Sequence, residues 1–594
     1  MTKVRNALAW AFACAFVATS ASGQAKTALF GDLHVHTRYS FDAFLFGTLT
    51  TPDHAYRFAK GEAVEHAGGF EIQLDRPLDF FAVTDHAFYL GMFSAWADPD
   101  HPDAGRPEVK TCVDAETNAE RGEAFSDCFD ALEDIGRRED SLTAWQAIQD
   151  AAERHNRPGE FTTFIGYEYT SSAEDGGNLH RNVFYRGSKV PELPFSRLDS
   201  LNPEDLWAWM DKHRDEQGID AIAVPHNANG SNGNMFDLVT FAGEPLDAAY
   251  AEQRLRNEPL VEITQVKGTS DTHPFLSLND EWADFEIFPY HIASWEKSRP
   301  QGSYVREAWM NGLALETTDG LNPYRFGIVG ASDTHNVGER FDEDKFLSKV
   351  GVLADEAPER GSVPVDDGDG FVETYQRFFG ASGLAGVWAS ENTRDAIFDA
   401  FRRKETFATT GPRMKVRFAA SYEFDDDLVD APGLLDQASQ GTVQGGELAL
   451  QGEDAPTLLA WASADPVGTR LQRLQIIKGW HSDGRTHEQV YDVACSDGLD
   501  VDPATHRCPD NGAEVDTEDC SITEGVGAAE LRALWRDPDF DPSERAFYYV
   551  RVLENPTCRW STWDAFRAGT TPRRDLHATI QERAWSSPIW VVPL

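Results

Sequence analysis

The sequence predicts an α/β fold, namely a (β/α) barrel of about six to eight strands, followed by an all-β, sandwich-like region. Three observations support this prediction. Near-continuous apolar runs alternate with helical patterns, polar side chains follow the apolar runs, and helical patterns become scarce after about residue 415. Repeated strand–helix–strand units indicate a parallel sheet, and a barrel of this kind carries its chemistry at the carboxyl ends of its strands.

The amino-terminal residues 1–25 have the pattern of a secretory signal peptide. Lys3 and Arg5 precede an apolar run, Ala7 to Val17, that is too short to span a bilayer, and small residues follow it. No later run approaches the roughly 18 apolar residues of a transmembrane helix. We therefore expect an exported protein, periplasmic or secreted, without a stable membrane anchor.

Six apolar runs between residues 26 and 415 have the composition of strands that are covered on both faces. These predicted strands are 28–33, 79–86, 161–169, 219–226, 260–268 and 324–335. Helices are predicted at 141–156, 202–218, 304–316 and 393–405. Ser141 and Asn202 stand where amino-terminal caps are expected, and Gly218 stands at a carboxyl-terminal end.

Two long segments without a clear strand interrupt the predicted barrel, at about residues 88–140 and 230–300. Segments of this length at a catalytic face usually form lids or binding walls. Residues 416–594 are predicted to form a separate, β-rich domain. Its predicted strands are 448–452, 457–464, 471–480, 546–554 and 587–593.

The charge of the 594-residue chain narrows the classes of partner. A formal net charge of −46 repels nucleic acid and anionic lipid, so neither is an expected partner. A small-molecule substrate remains, and the sequence leaves the oligomeric state open.

Six cysteines follow the predicted signal peptide, an even number that favours disulfides in an exported protein. Cys112 with Cys128 is the simplest pair. Three pairings stay open among the other four, and no C-x-x-C pair supports a zinc cluster. These four are Cys495, Cys508, Cys520 and Cys558.

Nine metal-ligand side chains stand at or near the ends of the predicted strands. They are His34, His36, Asp42, His86, Glu168, His180, His226, Asp333 and His335. Residues two apart on a strand point to the same side, so His34 and His36 can bind one ion, as can Asp333 and His335. Nitrogen and oxygen ligands without thiolate suit Zn, Mn or Fe, and nine ligands exceed the four of one tetrahedral zinc. The set therefore predicts two or three divalent ions.

The motifs that carry these residues resemble those of a known superfamily. DLHVHT, AVTDH, GYEY, VPHN and SDTH resemble the successive motifs of the PHP (polymerase and histidinol phosphatase) superfamily of metal-dependent hydrolases. Nearly all of the mature chain resembles the DUF3604 family, including FATTGPR, LQIIKGW and the ending SSPIWVVP. The resemblance implies a distorted (β/α)7 barrel over residues 26–415 and a trinuclear metal site.

The resemblance also assigns ligands to each ion. The first ion is assigned to His34, His36, Glu168 and Asp333. The second shares Glu168 and adds His180 and His226, and the third takes Asp42, His86 and His335. Some family members have histidine where this chain has Asp42.

Five further residues beside these motifs are candidates for other roles. Asp85 directly precedes a predicted ligand and is expected to orient the site, or else to form a turn at the strand end. Arg38, Arg181 and Lys267 could bind an anionic group, with ordinary surface cations as the alternative. His273 is a candidate proton donor on a lid.

These features predict a metal-dependent hydrolase in which a metal-bridged hydroxide attacks the substrate. The resemblance implies a phosphoesterase. The alternatives are a hydrolase of carboxylic esters, amides or carbamates with the same metal centre, and a non-catalytic binding protein. If the chain were a non-catalytic binding protein, we would expect some of the metal ligands to be missing. Phosphate chemistry predicts cationic residues aimed at the ions, whereas acyl chemistry predicts an apolar pocket.

Overall fold

The structure is a computed structural model that describes residues 25–115, 137–365 and 370–592, together with Glu120 and Cys128. The predicted signal peptide, residues 1–25, lies outside the described residues except for Ala25. Within the described part of the chain, no helix is both long enough and apolar enough to cross a membrane.

The protein is a mixed α/β protein with eleven α-helices among its described residues. They are α1 (Phe41–Leu45), α2 (Pro52–Ala59), α3 (Met92–Trp96), α4 (Pro107–Val113), α5 (Arg138–His155), α6 (Pro203–Gln217), α7 (Ala248–Asn257), α8 (Val305–Asp319), α9 (Arg394–Arg402), α10 (Leu434–Ala438) and α11 (Trp560–Ala568). All four predicted helices are present, as α5, α6, α8 and α9.

The ends of two helices test the predicted caps. Asn202 caps α6 as predicted, because its side-chain oxygen accepts a hydrogen bond from the backbone N–H of Glu204 at 2.9 Å. Gly218 ends this helix in the left-handed conformation, with φ of 67°. The predicted cap Ser141 is wrong, because α5 begins at Arg138 and Ser141 lies buried inside the helix.

The strands are β1 (Thr27–Asp32), β2 (Val64–Glu65), β3 (Glu71–Ile72), β4 (Phe80–Val83), β5 (Thr162–Tyr169), β6 (Arg181–Tyr185), β7 (Ala221–Pro225), β8 (Leu260–Gln265), β9 (Gly268–Thr269), β10 (Gly327–Gly330), β11 (Leu384–Ala389), β12 (Thr406–Thr409), β13 (Lys415–Ser421), β14 (Thr442–Val443), β15 (Glu447–Ala449), β16 (Thr457–Ser463), β17 (Leu471–Ser482), β18 (Arg485–Cys495), β19 (Val515–Asp516), β20 (Ser521–Ile522), β21 (Glu530–Trp535), β22 (Arg545–Glu554), β23 (Thr557–Cys558), β24 (Thr579–Ile580), β25 (Arg583–Ser586) and β26 (Ile589–Val592). Each of the six strands predicted in the α/β part is present, as β1, β4, β5, β7, β8 and β10.

The pairing of these strands is mixed, whereas the sequence predicts a parallel sheet. β1, β4 and β5 pair in parallel, as do β8 and β10. β1 with β11, β5 with β6 and β6 with β7 are antiparallel. β8, β9 and β10 form a sheet of their own beside the 13-stranded main sheet. Hydrogen bonds between the described strands do not close a barrel, which stays a prediction.

The strands of both sheets are nevertheless covered on two faces, as the apolar runs predict. On one face, Phe81 and Ile165 pack in a cluster with Trp145 of α5. On the other face, Phe164 packs in a cluster that includes Phe401 of α9. Leu260 of β8 and Val329 of β10 belong to this second cluster, so the small sheet and the main sheet share a core.

The carboxyl-terminal part is rich in strands but is not purely β. It contains α10 and α11 in addition to the strands from β14 to β26. The sheet of β13, β14, β16 and β21 shares an apolar cluster with β17, β22 and β26, an arrangement of two packed layers. The main sheet crosses the predicted boundary at residue 415, because β12 pairs with β25. The division into two domains stays a prediction.

Three disulfides lie among the described residues. Cys112 pairs with Cys128, which confirms the predicted pair. Cys495 pairs with Cys508 and Cys520 pairs with Cys558, which selects one of the three open pairings. Three disulfides fit an extracellular or periplasmic protein.

Candidate metal centre

The fold brings all nine predicted ligands into one cluster, in which Asp42 and His180 are half-buried and the other seven are buried. His34 and His36 follow β1, His86 follows β4 and His226 follows β7, while Asp333 and His335 follow β10. Glu168 lies on β5, His180 directly precedes β6 and Asp42 lies on α1. Ligand atoms within 4.8 Å of one another form overlapping groups, which are His36–Asp42–His86–His335, His34–His36–Asp333, His34–His226–Glu262 and Glu168–His180–His226.

His34, His36, Glu168 and Asp333 are called the first group below, because each of the two carboxylates lies beside the same two imidazole nitrogens. Glu168 Oε2 lies 3.3 Å from the Nε2 atoms of both His34 and His36, and Asp333 Oδ1 lies 3.3 and 3.4 Å from the same two nitrogens. Bonds of about 2.1 Å to a central ion give a tetrahedron with edges of about 3.4 Å. The four measured separations match four of the six edges of such a tetrahedron, whereas Glu168 does not belong to the group of His34, His36 and Asp333 whose ligand atoms all lie within 4.8 Å of one another.

The other carboxylate oxygen of Glu168 faces a second group. Glu168 Oε1 lies 2.7 Å from His180 Nδ1 and 3.5 Å from His226 Nε2. The two oxygens of Glu168 thus point to different sets of histidines. A carboxylate in this position can bridge two ions.

Asp42 is the centre of a third group. Its Oδ2 atom lies 2.8 Å from His335 Nε2 and 3.3 Å from His86 Nε2. Burial lowers the pKa of His86, but attraction to the carboxylates Glu168 and Asp42 outweighs burial and raises the pKa to about 10. A positive charge is therefore favoured between these two carboxylates.

The protonation and hydrogen bonding of several histidines in the cluster also suit metal binding. His36 Nε2 and both ring nitrogens of His226 are buried without a hydrogen-bond partner among the described residues. Burial lowers the pKa of His34, His36 and His335, and it lowers the pKa of His180 to about 3 and of His226 to about 4. Neutral imidazoles with free nitrogens are the form that binds divalent metals.

A hydrogen-bonded layer holds these ligands in place, and Asp85 is part of it. Asp85 Oδ1 accepts hydrogen bonds from the backbone N–H of Thr37 at 2.6 Å and from Ser40 Oγ at 2.8 Å. Ser40 Oγ in turn lies 2.8 Å from His36 Nδ1. Asp85 is thus placed to orient His36 through Ser40, rather than the adjacent His86.

The remaining predicted residues do not all lie at the centre. Lys267 does, because its buried Nζ atom forms an ion pair with Asp333 Oδ2. Arg38 instead donates to Ser94, and Arg181 pairs with the buried Glu258. His273 packs against the aromatic rings of Phe275 and Tyr304. The structure shows none of these last three contacting the nine ligands.

Two residues of the centre are absent from the predicted set. Glu262 lies inside β8, and its Oε2 atom is 3.0 Å from His34 Nδ1. Glu262 lies two residues after the first residue of the predicted strand 260–268. The alternation of side chains along a strand could therefore have identified it as a candidate. The buried Lys349 Nζ lies 2.8 Å from Asp333 Oδ1 and 3.1 Å from His335 Nδ1. Lys349 stands outside any strand, so strand ends could not reveal it.

The fold and the site define a mixed α/β protein with a buried cluster of side chains that could hold metal ions. The chain belongs to the DUF3604 family, described as a protein of unknown function, whose model matches residues 23–593. No curated protein matches the chain.

One solved structure is similar to this chain over much of its length. It is a two-domain protein from Bacteroides vulgatus, described as containing a predicted PHP-like metal-dependent phosphoesterase. The match has 14% sequence identity, covers 79% of this chain and 89% of that chain, and has a TM-score of 0.28. This likeness is too low to bear on the fold or function of the present protein.

Proposed function

We propose that this protein is an exported, metal-dependent hydrolase, and that within this class it is a phosphoesterase acting on a small molecule. The observation that carries the proposal is the convergence of ligand atoms into overlapping groups, with histidine nitrogens 3.3 to 3.4 Å from carboxylate oxygens in the first group. The resemblance of the sequence motifs to the PHP superfamily supports the same reading. The three disulfides support export.

We assign the ligands to two or three ions, which we expect to be Zn, Mn or Fe. The first ion would be held by His34, His36, Glu168 and Asp333. The second would be held by Glu168, His180 and His226, and the third by Asp42, His86 and His335. Divalent ions at such a site supply a water molecule of lowered pKa and polarise the substrate.

The chain's own residues contribute positioning and charge. Asp85 and Ser40 fix the ring of His36, and Glu262 fixes the ring of His34. Because these partners bind the ring nitrogens that face away from the shared carboxylates, they leave Nε2 of both histidines directed at Glu168 and Asp333. These residues therefore keep the first group in its measured geometry.

Two buried lysines favour a phosphate ester over a carboxylic ester. Lys267 and Lys349 contact the two oxygens of Asp333 from different sides. Burial, with repulsion from Lys349, lowers the pKa of Lys267 well below its usual value, and burial lowers the pKa of Lys349. An anionic substrate would favour the ammonium form of both groups. When protonated beside a bound anion, the two groups would add to the charge of the divalent ions and suit a dianionic phosphate rather than a neutral ester.

A comparison of esters with one leaving group tests the proposal. The mature protein, loaded in turn with Zn, Mn or Fe, is assayed on p-nitrophenyl phosphate, bis(p-nitrophenyl) phosphate and p-nitrophenyl acetate. We expect hydrolysis of a phosphate ester, and a loss of at least about a hundredfold in His34→Ala and in Asp333→Ala. His577→Ala is the control, because that histidine is exposed.

Three outcomes would contradict the proposal. Hydrolysis of the acetate alone would replace the phosphoesterase by the acyl hydrolase. Full activity of the His34→Ala and Asp333→Ala variants would show that the reaction does not take place at this site. No hydrolysis of any ester by a fully metal-loaded protein would favour a binding protein.

A further inference from the structure

An arginine without a charged partner lies beside the candidate metal centre. Arg197 is half-buried, and its guanidinium group forms no hydrogen bond or ion pair with the residues that the structure describes. Its Cζ atom lies 5.4 Å from the centre of the Phe88 ring. The same ring lies 6.0 Å from the ring of His86, which is one of the nine predicted ligands. Arg197 and His86 are therefore neighbours of one phenylalanine.

The turn that carries Arg197, between β6 and α6, is held by hydrogen bonds of its own. Asp199 Oδ2 accepts from the backbone N–H of Ser196 at 2.8 Å and from Ser196 Oγ at 3.2 Å. The hydroxyl group of Tyr169, on β5, donates to the carbonyl oxygen of Ser200 at 2.8 Å. The acid closest to Arg197 in the sequence is therefore bound to Ser196, and the turn is attached to the strand that carries the predicted ligand of β5.

The surroundings of the guanidinium group leave its positive charge unbalanced. Burial lowers the pKa of Arg197, and the groups that act against burial are the tyrosines Tyr169 and Tyr89. No carboxylate of the described residues acts on this pKa, although the chain has 99 acidic residues against 53 lysines and arginines. No second cation of the described residues acts on it either. A single positive charge matches a singly charged carboxylate better than a dianionic phosphate.

Solvent reaches the ligand cluster on the side of His86. Asp42 and His180 are the two half-buried ligands, with 15% and 18% of their side chains exposed. His86 adjoins both, because its Nε2 atom lies 3.3 Å from Asp42 Oδ2 and its ring lies 6.2 Å from the ring of His180. A substrate therefore approaches the cluster beside the ligand whose ring adjoins Phe88, the phenylalanine that Arg197 contacts.

We propose that Arg197 binds a carboxylate of the substrate while the phosphate group of the same molecule lies at the metal centre. The substrate is then a phosphate ester whose organic part carries a carboxylate. A guanidinium group can donate two parallel hydrogen bonds to a carboxylate, and a turn fixed by its own hydrogen bonds needs little ordering when the ligand binds. The inference rests on the proposed phosphoesterase function, which provides the place of the phosphate.

Calorimetric titration of the metal-loaded protein with matched phosphonates tests the proposal, because a phosphonate has no ester bond to hydrolyse. The pairs are 6-phosphonohexanoate with hexylphosphonate, and 4-phosphonobutanoate with butylphosphonate. Within each pair, a terminal carboxylate replaces a methyl group. We expect the carboxylate to tighten binding at least about tenfold in at least one pair. Equal affinities within both pairs would overturn the proposal.

Variants of Arg197 locate the gain. Arg197→Met keeps an unbranched stem against Phe88 and loses the guanidinium group, so the gain from the carboxylate should disappear while the affinity for the alkylphosphonate stays within about twofold. Arg157→Met is the matched control, because it removes the same charge from an exposed position and should keep the gain. Circular dichroism checks folding, and Arg197→Gln replaces Arg197→Met if that variant does not fold.

The same titrations separate this inference from the proposed function. A folded Arg197→Met or Arg197→Gln variant that keeps the full gain would overturn the role of Arg197, even where the wild type prefers the carboxylates. Binding of hexylphosphonate without any gain from the carboxylate would overturn the inference and leave the phosphoesterase intact. If none of the four phosphonates binds the metal-loaded protein, the phosphate site itself is contradicted, and the inference fails with it.

Discussion

Asp333 is the residue at which charged groups of the candidate metal centre meet. Its backbone has a φ of 58°, a conformation that costs a non-glycine residue on the order of 1–3 kcal/mol. Contacts from Lys267, Lys349 and Gln265 hold both of its carboxylate oxygens. Such strain persists only where surrounding contacts fix the backbone. The contacts of the site, and not local backbone preference, therefore maintain this conformation of Asp333.

Replacing Lys349 by methionine tests the role of the buried lysines. The variant keeps a long apolar stem and loses the ammonium group that lies 2.8 Å from Asp333 Oδ1. We expect kcat/KM for p-nitrophenyl phosphate to fall at least about tenfold, and any residual acetate hydrolysis to fall less. The reason is that only the phosphate carries a dianionic charge for the ammonium group to stabilise.

Lys345→Met provides the matched control for this prediction. Lys345 lies four positions earlier in the same segment, and it pairs with Asp342 and Asp75 at the surface. It should leave both activities within about twofold of the wild type. If Lys349→Met lost kcat/KM for phosphate and for acetate by the same factor, at unchanged metal content, Lys349 would have no role in binding the anion.

Much of the candidate site was open to prediction from the sequence, because its ligands follow apolar runs. His34, His36, His86, His226 and Asp333 all stand just beyond such a run, and the structure gathers them. Lys349 lies in an irregular segment, where no periodic pattern marks a residue as buried. Likewise, the pairing of Arg181 with Glu258 depends on a contact between β6 and residues far along the chain. A single sequence carries no local signal for such contacts.

At the scale of secondary-structure elements, the contribution of the amino-terminal cap of α6 to stability can be measured. Replacing its cap Asn202 by alanine should lower the free energy of unfolding by about 1 kcal/mol, because the N–H of Glu204 loses its acceptor. Denaturant titration measures this change. The control Asp215→Ala, at an exposed position of the same helix, should change it by less than about 0.5 kcal/mol. An equal loss of free energy of unfolding in both variants would contradict the stabilising role of the Asn202 cap.

The elements themselves were largely predictable, but their pairing was not. Apolar runs and caps identified the strands β1, β4, β5, β7, β8 and β10 and the helices α5, α6, α8 and α9. The short β6 follows a glycine-rich loop and was missed. Apolar runs indicate that a strand is covered on both faces, but they do not fix its direction relative to a neighbour. The antiparallel pairing of β1 with β11 therefore could not be read from either strand.

At the scale of the whole molecule, long-range strand pairing connects the candidate metal centre to the carboxyl-terminal part of the chain. β1, which leads to His34 and His36, pairs with β11, and β11 pairs through β12 with β25. The net charge of −46 surrounds a centre whose own carboxylates would be neutralised by divalent ions. The central claim is that ligands from distant parts of the chain hold more than one ion.

The metal content of the purified protein, measured by inductively coupled plasma mass spectrometry, tests this claim most directly. We predict two or three divalent ions per chain, and a larger loss of metal in Glu168→Ala than in Asp42→Ala, because Glu168 belongs to two groups. Glu174→Ala, an exposed position in the segment that follows β5, should leave the content unchanged. One ion or fewer per chain in the wild type, or an unchanged content in Glu168→Ala, would contradict this claim.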